Sequence, residues 1–460
     1  MQNKKTVLIC IILSFIILPL YSEEDKKSSL NFEMDLGLGT QTFNEENGPI
    51  TYQTLNIQPE LNIGKIGIGL DITFNFRFTD ENGDFDLREA DWIPVGETDA
   101  EKFQSFLSLY LPLFRYIKYG EKGGPLYAKI GSIEDGTIGN GFIFGNYANT
   151  NFLPNTRIVG LSFDLDGKLF NFPYLGIETF IGNLSLFDVL GVRLYTRPLN
   201  WLDVPIIKEM ELGGSYATDT NPQAYYTFEN SVNVKPVQMF GFDLFNPILS
   251  NDIVSLAAFG DIVFQPPVGE IRTATATGGM IGVGGKFFSF VPYGLQLRIL
   301  GDDFVPVYFD SSYDLFREAK YEVVSGQSSI EGYAGWLASL GFSAFDDLFV
   351  FNASFDSPFS VDQSVENYLG HPHLRVILLV KEGFLPGFSF NAALDKKNID
   401  KVTSWDNFWT QDMVIGAEIN YDTGPAVLTL SYDLRYNPNA GEGEDPWETT
   451  AKLSSTFNIF

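Results

Sequence analysis

The sequence predicts an all-β fold, a single transmembrane antiparallel β-barrel of about 16–20 strands, and three observations predict it. Apolar residues alternate with polar ones at a period of two, over segments of the roughly 9–11 residues that cross a bilayer as a tilted strand. Past the N-terminus no run approaches the roughly 18 apolar residues of a membrane helix; Val376 to Val380 is typical of the longest. The connections also alternate in length, short on one side and long on the other.

Composition bounds the rest. Of 460 residues, 45% are hydrophobic and 15% aromatic, which is too apolar for a disordered chain. Only 19% are charged, against ~25% in ordinary soluble domains. Asp and Glu number 58 against 30 Lys and Arg, a net charge of −28, so nucleic acid is excluded as a partner. The one cysteine, Cys10, sits inside an apolar run and reads as a hydrophobe; no disulfide framework is possible.

The elements follow in chain order. Lys4 and Lys5, the apolar run Val7 to Leu20 and small Ser22 before the charged Glu23 to Lys27 have the layout of a cleavable signal peptide, residues 1–22. The barrel then occupies 23–460, and without Lys4 and Lys5 its charge is −30. Leu30, Phe32, Met34, Leu36 and Leu38 form the first stripe, opposed by Asn31, Glu33, Asp35 and Gly37. Ile66, Ile68, Leu70, Ile72, Phe74, Phe76 and Phe78 oppose Gly67, Gly69, Asp71, Thr73, Asn75 and Arg77. Phe388 to Asp395, Met413 to Tyr421 and Ala426 to Asn437 repeat the pattern, the last two joined by the turn formers Asp422-Thr423-Gly424-Pro425.

Gly64-Lys65, Ala344 to Asp347, Gly383 to Pro386 and Asp422 to Pro425 read as tight turns on one side. Thr79 to Glu101, Gly301 to Gly332, Ser357 to Pro372, Lys396 to Gln411 and Pro438 to Pro446 read as long polar loops on the other. Pro112 to Pro125 is long for the short side, and Asn246 to Asp252 is ambiguous. Tyr421, Tyr293 and Phe345 fall near short turns and Tyr436, Trp447 and Tyr333 near long loops, where bilayer interfaces favour aromatics.

On these stripes, turns and loops the chain resembles Gram-negative-type outer-membrane β-barrels of the porin or transporter size class. The resemblance is one of pattern over the whole mature chain, with no specific family motif. It implies an outer-membrane location, membrane lipid as the surroundings, and a C-terminal aromatic recognised by the barrel-assembly machinery. Phe457, Ile459 and the terminal Phe460 are the candidates for that signal. Phe460 departs from the pattern by falling on the opposite parity to Trp447, Ala451, Leu453, Phe457 and Ile459, which a terminal bulge would accommodate.

Asp71, Arg77, Arg193, Arg298, Arg375, Asp395, Glu418, Asp433 and Arg435 sit on polar parities and are the candidate pore-lining residues, because a charge facing lipid costs ~2–4 kcal/mol at the midplane. Gly131 to Asn149 lies between two predicted strands, Leu126 to Ile133 and Thr156 to Asp166, and is too apolar to stand in water. Its residues Gly136, Gly139, Gly141, Phe142, Phe144 and Tyr147 are therefore candidates for a loop that turns inward and narrows the lumen.

No enzyme chemistry is expected. His371 and His373 flank Pro372 near Asp362 and Glu366 but read as an exposed loop, and no Gly-x-Ser-x-Gly elbow occurs. The acidic run Asp80 to Asp86 has Phe85 where a calcium loop needs glycine, so neither a metal nor a cofactor is expected. The function these features suggest is a channel for passive passage of small solutes. Acidic loops (Asp80, Glu81, Asp84, Asp86, Glu89, Asp91; Glu442, Glu444, Asp445) suggest a cation preference. The alternative is an adhesive or structural barrel with a blocked lumen. A plugged transporter of hydrophobic compounds is disfavoured, since only about seven mature residues precede the first strand.

Overall fold

A computed structural model describes residues 30–457 apart from 46–47, 80–83, 153–156, 203, 226–233, 346–347, 361–371, 400–408, 410–412, 425 and 437–446. The signal segment 1–22, His371 and the terminal Phe460 and Ile459 lie outside the described residues, as does the side chain of Phe457.

Every pairing between strands is antiparallel. Gly37 of the first strand, Leu30–Glu45, pairs with Thr456 of the last, Trp447–Phe457, so the sheet closes on itself. Closure leaves no unpaired sheet edge, which is the condition for strands to sit in hydrocarbon. Among the described residues no helix is long and apolar enough to cross a membrane. This is the architecture of an outer-membrane β-barrel.

Among the described residues the wall holds 22 strands. Ile66–Leu70 and Ile72–Thr79 both pair with Gly48–Ile63 and form one position in the wall. Phe114–Tyr119 and Asp84–Leu87 both lie on their far side and form the next. Two positions thus use two strands each, and 22 strands occupy 20 positions, an even number and the top of the range that alternation predicts.

The apolar stripes face outward. Leu194, Phe242, Ile281, Leu297 and Leu340 are exposed to the surroundings, and Ile299 is 74% exposed. In water such a surface would aggregate; against acyl chains it is at home. At the short-turn end, ring pairs Phe287–Tyr293, Phe290–Phe342, Phe345–Phe384 and Phe388–Tyr421 form an aromatic band at the interface.

Several connections differ from expectation. Phe114–Tyr119 is a strand inside the supposed long turn, leaving only 120–125 to turn the chain. The ambiguous Asn246 to Asp252 continues the strand Val237–Ser250, with a register shift between Pro247 and Leu249 that accommodates the missing Pro247 N–H. The first hairpin, Glu45 to Gly48, is tight on the long-loop side and breaks the length rule. The supposed loop Thr79 to Glu101 carries the strand Asp84–Leu87 and leads into the helix Asp99–Tyr110, which starts on a capping box of Thr98 and Glu101. The largest correction is Gly301 to Gly332: it is no polar outer loop, but folds through the helix Arg317–Ser325 into the barrel's buried core.

Candidate functional site in the barrel lumen

Two segments turn into the barrel and fill one side of it. The first follows the strand Leu126–Gly131 and contains Ile133, Ile138, Phe142, Ile143, Phe144 and Tyr147, all buried. The second runs from 301 to 332 and buries Phe304, Val305, Tyr308, Phe309, Tyr313, Tyr321, Val323 and Val324. Both segments belong to one apolar cluster with the wall residues Phe180, Val189, Ala217, Met239, Val263 and Met280. Neither could bury its aromatics alone; together they form a dry layer against the wall.

Backbone bonds join the two segments. Val307 N–H donates to the Phe142 carbonyl at 3.1 Å, Phe309 N–H to Ile143 at 3.1 Å and Gly145 N–H to Phe309 at 3.1 Å. The Phe144 and Phe309 rings stack with centroids 4.4 Å apart. On the wall side, the Gln265 amide donates to the Val305 carbonyl at 2.7 Å and accepts from the Val305 N–H at 3.0 Å. The wall is cut to fit these rings. A Cβ at Gly191 would strike the Phe144 ring, and one at Gly278 the Phe304 ring.

Buried ions lock the layer in place. Arg317, 0% exposed, meets Asp188 at 2.7 Å, Asp219 at 3.2 Å and Asp314 at 2.7 Å. Tyr147 donates to Asp314 at 3.0 Å and Tyr313 to Asp219 at 2.6 Å, so both segments and two strand ends share one network. Burial pushes the Asp314 carboxyl up to about 6, with Arg317 pulling against it. A second network lies on the wall: Arg193 meets Asp243 at 2.7 Å, Glu178 at 2.7 Å and Glu211 at 3.3 Å. Gly139 N–H donates to Glu178 at 2.8 Å and the Asn140 amide to Asp261 at 2.9 Å, tying the tip of the first segment to that network.

The rest of the inner wall is wet. By register, an inward arc includes Asn352 opposite Ile377, Asn391 between Leu379 and Glu418, Glu418 opposite Ser431, and Thr429 opposite Asn420. Across the seam it continues through Gly37, Asn56 and Thr73. Asn352 and Asn391 are exposed; Glu418, Asn420, Thr429, Ser431, Asn56 and Thr73 are half-exposed. Alternating polarity around this arc faces water rather than a packed core.

The candidate pore residues divide between the two halves. Arg193 and Arg298 are buried in ion pairs, Arg298 with Asp356 at 3.0 Å. Asp71 pairs with Arg157, and Arg77 with Asp86 at 2.8 Å. Asp395 accepts from His373 at 2.9 Å, so His373 is no exposed-loop residue: it opens the strand His373–Leu385. Glu418 lines the wet arc beside Asn420. Asp433 and Arg435 lie on the strand Ala426–Tyr436, but their side chains are outside the described residues.

Of the loop acids that suggested a cation preference, two are engaged by arginines and one, Glu89, is exposed. Asp86 is paired with Arg77 and Asp91 with Arg88, while Asp80, Glu81, Glu442, Glu444 and Asp445 lie outside the described residues. What sequence reading missed is the second inward segment and its Arg317. The available signal was the concentration of aromatic and β-branched residues in Phe304 to Val324, which suits burial better than a water-facing loop.

No protein-family model matches the chain, and no curated protein matches it. Among solved structures it is similar to CdiB from Acinetobacter baumannii, with 7% identity and a TM-score of 0.27 over 93% of this chain and 60% of that one. It is also similar to Pseudomonas aeruginosa OccK2 in complex with glucuronate, with 10% identity and a TM-score of 0.32 over 94% and 99%. A third is the ferric enterobactin receptor PfeA, with 9% identity and a TM-score of 0.36 over 95% and 75%. Likeness at this level assigns neither a family nor a solute.

Proposed function

We propose that this barrel sits in the outer membrane and passes small polar solutes through the part of its lumen that the two inward segments leave open. The observation that supports this most is the contrast between the two halves of the inner wall. One half is apolar and packed; the other presents Asn352, Asn391, Glu418, Asn420, Thr429 and Asn56 to the lumen. A wall built only to close a structural barrel would gain by covering these groups, because uncovered amides and carboxylates hold water in place of packing. The inward segments then act as a constriction, with Phe142, Phe144 and Tyr147 buried inside the filling rather than lining the passage.

The second reading is a barrel whose lumen is shut and whose outer loops do the work. The dry layer of Phe142, Phe144, Phe304 and Phe309 favours it. Planar-bilayer recording of the purified mature protein separates the two: discrete current steps support passage, and silence from a verified folded barrel supports the shut lumen.

A further inference from the structure

Where the second inward segment meets the wet arc there is a partly open cavity of about 100 Å³. Its lining includes Arg298, Lys320, Arg375, Lys397, Asp310 and Asp356. In a chain of net charge −28, four cations around one lumen cavity are out of keeping with the whole.

The ion pairs account for all but one of them. Arg298 meets Asp356 at 3.0 Å and the Gln296 amide oxygen at 2.9 Å. Lys320 reaches Asp310 at 2.9 Å and the Tyr308 carbonyl at 2.6 Å. Lys397 reaches the same Asp310 at 3.0 Å and the Ser312 hydroxyl at 2.7 Å. His373 also lines the cavity and is held by Asp395 at 2.9 Å. Arg375, on the strand His373–Leu385, has no partner among the described residues, although Ser354 and Asp395 flank it in register. Asp395 is already engaged by His373 and by the Ser311 hydroxyl at 3.3 Å. Asp310 is shared between two ammonium groups. Among the described residues, and even with His373 neutral, the four cations face three carboxylates, Asp310, Asp356 and Asp395.

We infer that Arg375, backed by Lys320 and Lys397, is a binding site in the lumen for a small oxyanion, a carboxylate or a phosphate. A half-buried guanidinium without a counter-charge presents a planar fork of donors that matches either group. The surplus positive field of the cavity favours an anion there, and the low-dielectric filling of Phe142 and Val305 beside it strengthens that field. The site names the solute class of the proposed channel and rests on that reading for its role, but binding itself is independent of current.

The test uses the full mature barrel folded in detergent, with succinate, inorganic phosphate and glucose titrated calorimetrically, and the same preparation recorded in bilayers. Wild type should bind succinate or phosphate but not glucose, and R375Q should weaken that binding about tenfold or more. S354D, which would supply Arg375 with a carboxylate of the protein's own, should weaken it likewise while leaving Arg375 in place. Folding of each variant is checked by heat-modifiable migration. Succinate alone binding would assign a carboxylate, phosphate alone a phosphate. Equal affinity in wild type, R375Q and S354D, or binding of neither anion, would overturn the site even if current flows. Binding lost in R375Q with no current in any protein would keep the site and reject the channel.

Discussion

Two residues decide how the lumen is arranged, and each makes a prediction. Arg317 is surrounded by Asp188, Asp219 and Asp314 with all four side chains fully enclosed. Removing one partner of a buried ion cluster costs about 3–5 kcal/mol, because the remaining charges stay buried without compensation. R317A should therefore loosen the second inward segment, lower the temperature at which the folded gel band is lost, and raise conductance; unchanged stability and current would show that the network holds nothing. Lys320 makes the second prediction. Burial pushes its ammonium down to about 8, against the pull of Asp310, while Lys397, Asp395 and the Tyr308 and Tyr313 rings face it from other elements. Burial alone would raise Asp310, but Lys320 and Lys397 outweigh it and hold its carboxyl well below the usual range. Because the folded value of Lys320 lies below the ordinary ~10.4, its charge is present below about pH 8 and lost above it, where a free lysine would still be protonated. Succinate affinity should fall between pH 7 and 9 in wild type and stay level in K320R, whose guanidinium remains charged; a parallel fall in both would assign the effect elsewhere.

At the scale of elements, the strands were legible and the inward segments only half so. A strand writes its environment into every second residue: Leu428, Leu430 and Tyr432 face out, Thr429 and Ser431 face in, and a shift by one would reverse both sets. Turn chemistry adds the boundaries, as at Asp422 to Gly424, where the Gly424 N–H donates to Asp422 and φ is +92°. The inward position of Gly131 to Asn149 was readable from its apolar glycine-rich composition, because such a segment has nowhere to bury itself outside the barrel. The segment 301–332 was not, since its acids and lysine look like loop charge until the fold brings Asp188 and Asp219 to Arg317 and Lys397 to Asp310. The insertion around Asp99–Tyr110 was missed for a similar reason: pairing of two half-strands with one neighbour leaves no period in the sequence. The fit between layer and wall gives a prediction at this scale. Phe144 and Phe304 rest on glycine-faced wall, and F144A should cost about 3–5 kcal/mol as a buried-aromatic truncation. G191V should displace the Phe144 ring and mimic it. Both variants should show larger current steps with the same folded yield; smaller or identical steps would mean that the layer does not bound the passage.

For the molecule as a whole, closure through Gly37 and Thr456 sets what the chain needs from its surroundings. The exterior apolar band requires lipid or detergent, so the protein should fractionate with outer membranes and run as a faster band in gels until boiled. Recovery from the periplasm without detergent would contradict the barrel. The terminal strand Trp447–Phe457 closes the wall, and deletion of Phe460 should lower the folded fraction in cells without altering strand pairing once folded. The balance of charge also belongs to this scale. The net charge is −28, yet the cavity around Arg375 gathers Arg298, Lys320, Arg375 and Lys397. Selectivity should follow the narrow passage rather than the sum over the chain, because salt screens loop charges within about 10 Å at 0.1 M.

The central claim is a closed barrel whose lumen is filled on one side and open on the other. It is tested most directly by single-channel current in planar bilayers, comparing wild type with a variant in which residues 136–146 are replaced by a short glycine-serine link. Wild type should give discrete, modest steps, and the shortened variant, confirmed as folded by heat-modifiable migration, should give distinctly larger ones. Equal steps from both, or silence from both, would contradict it.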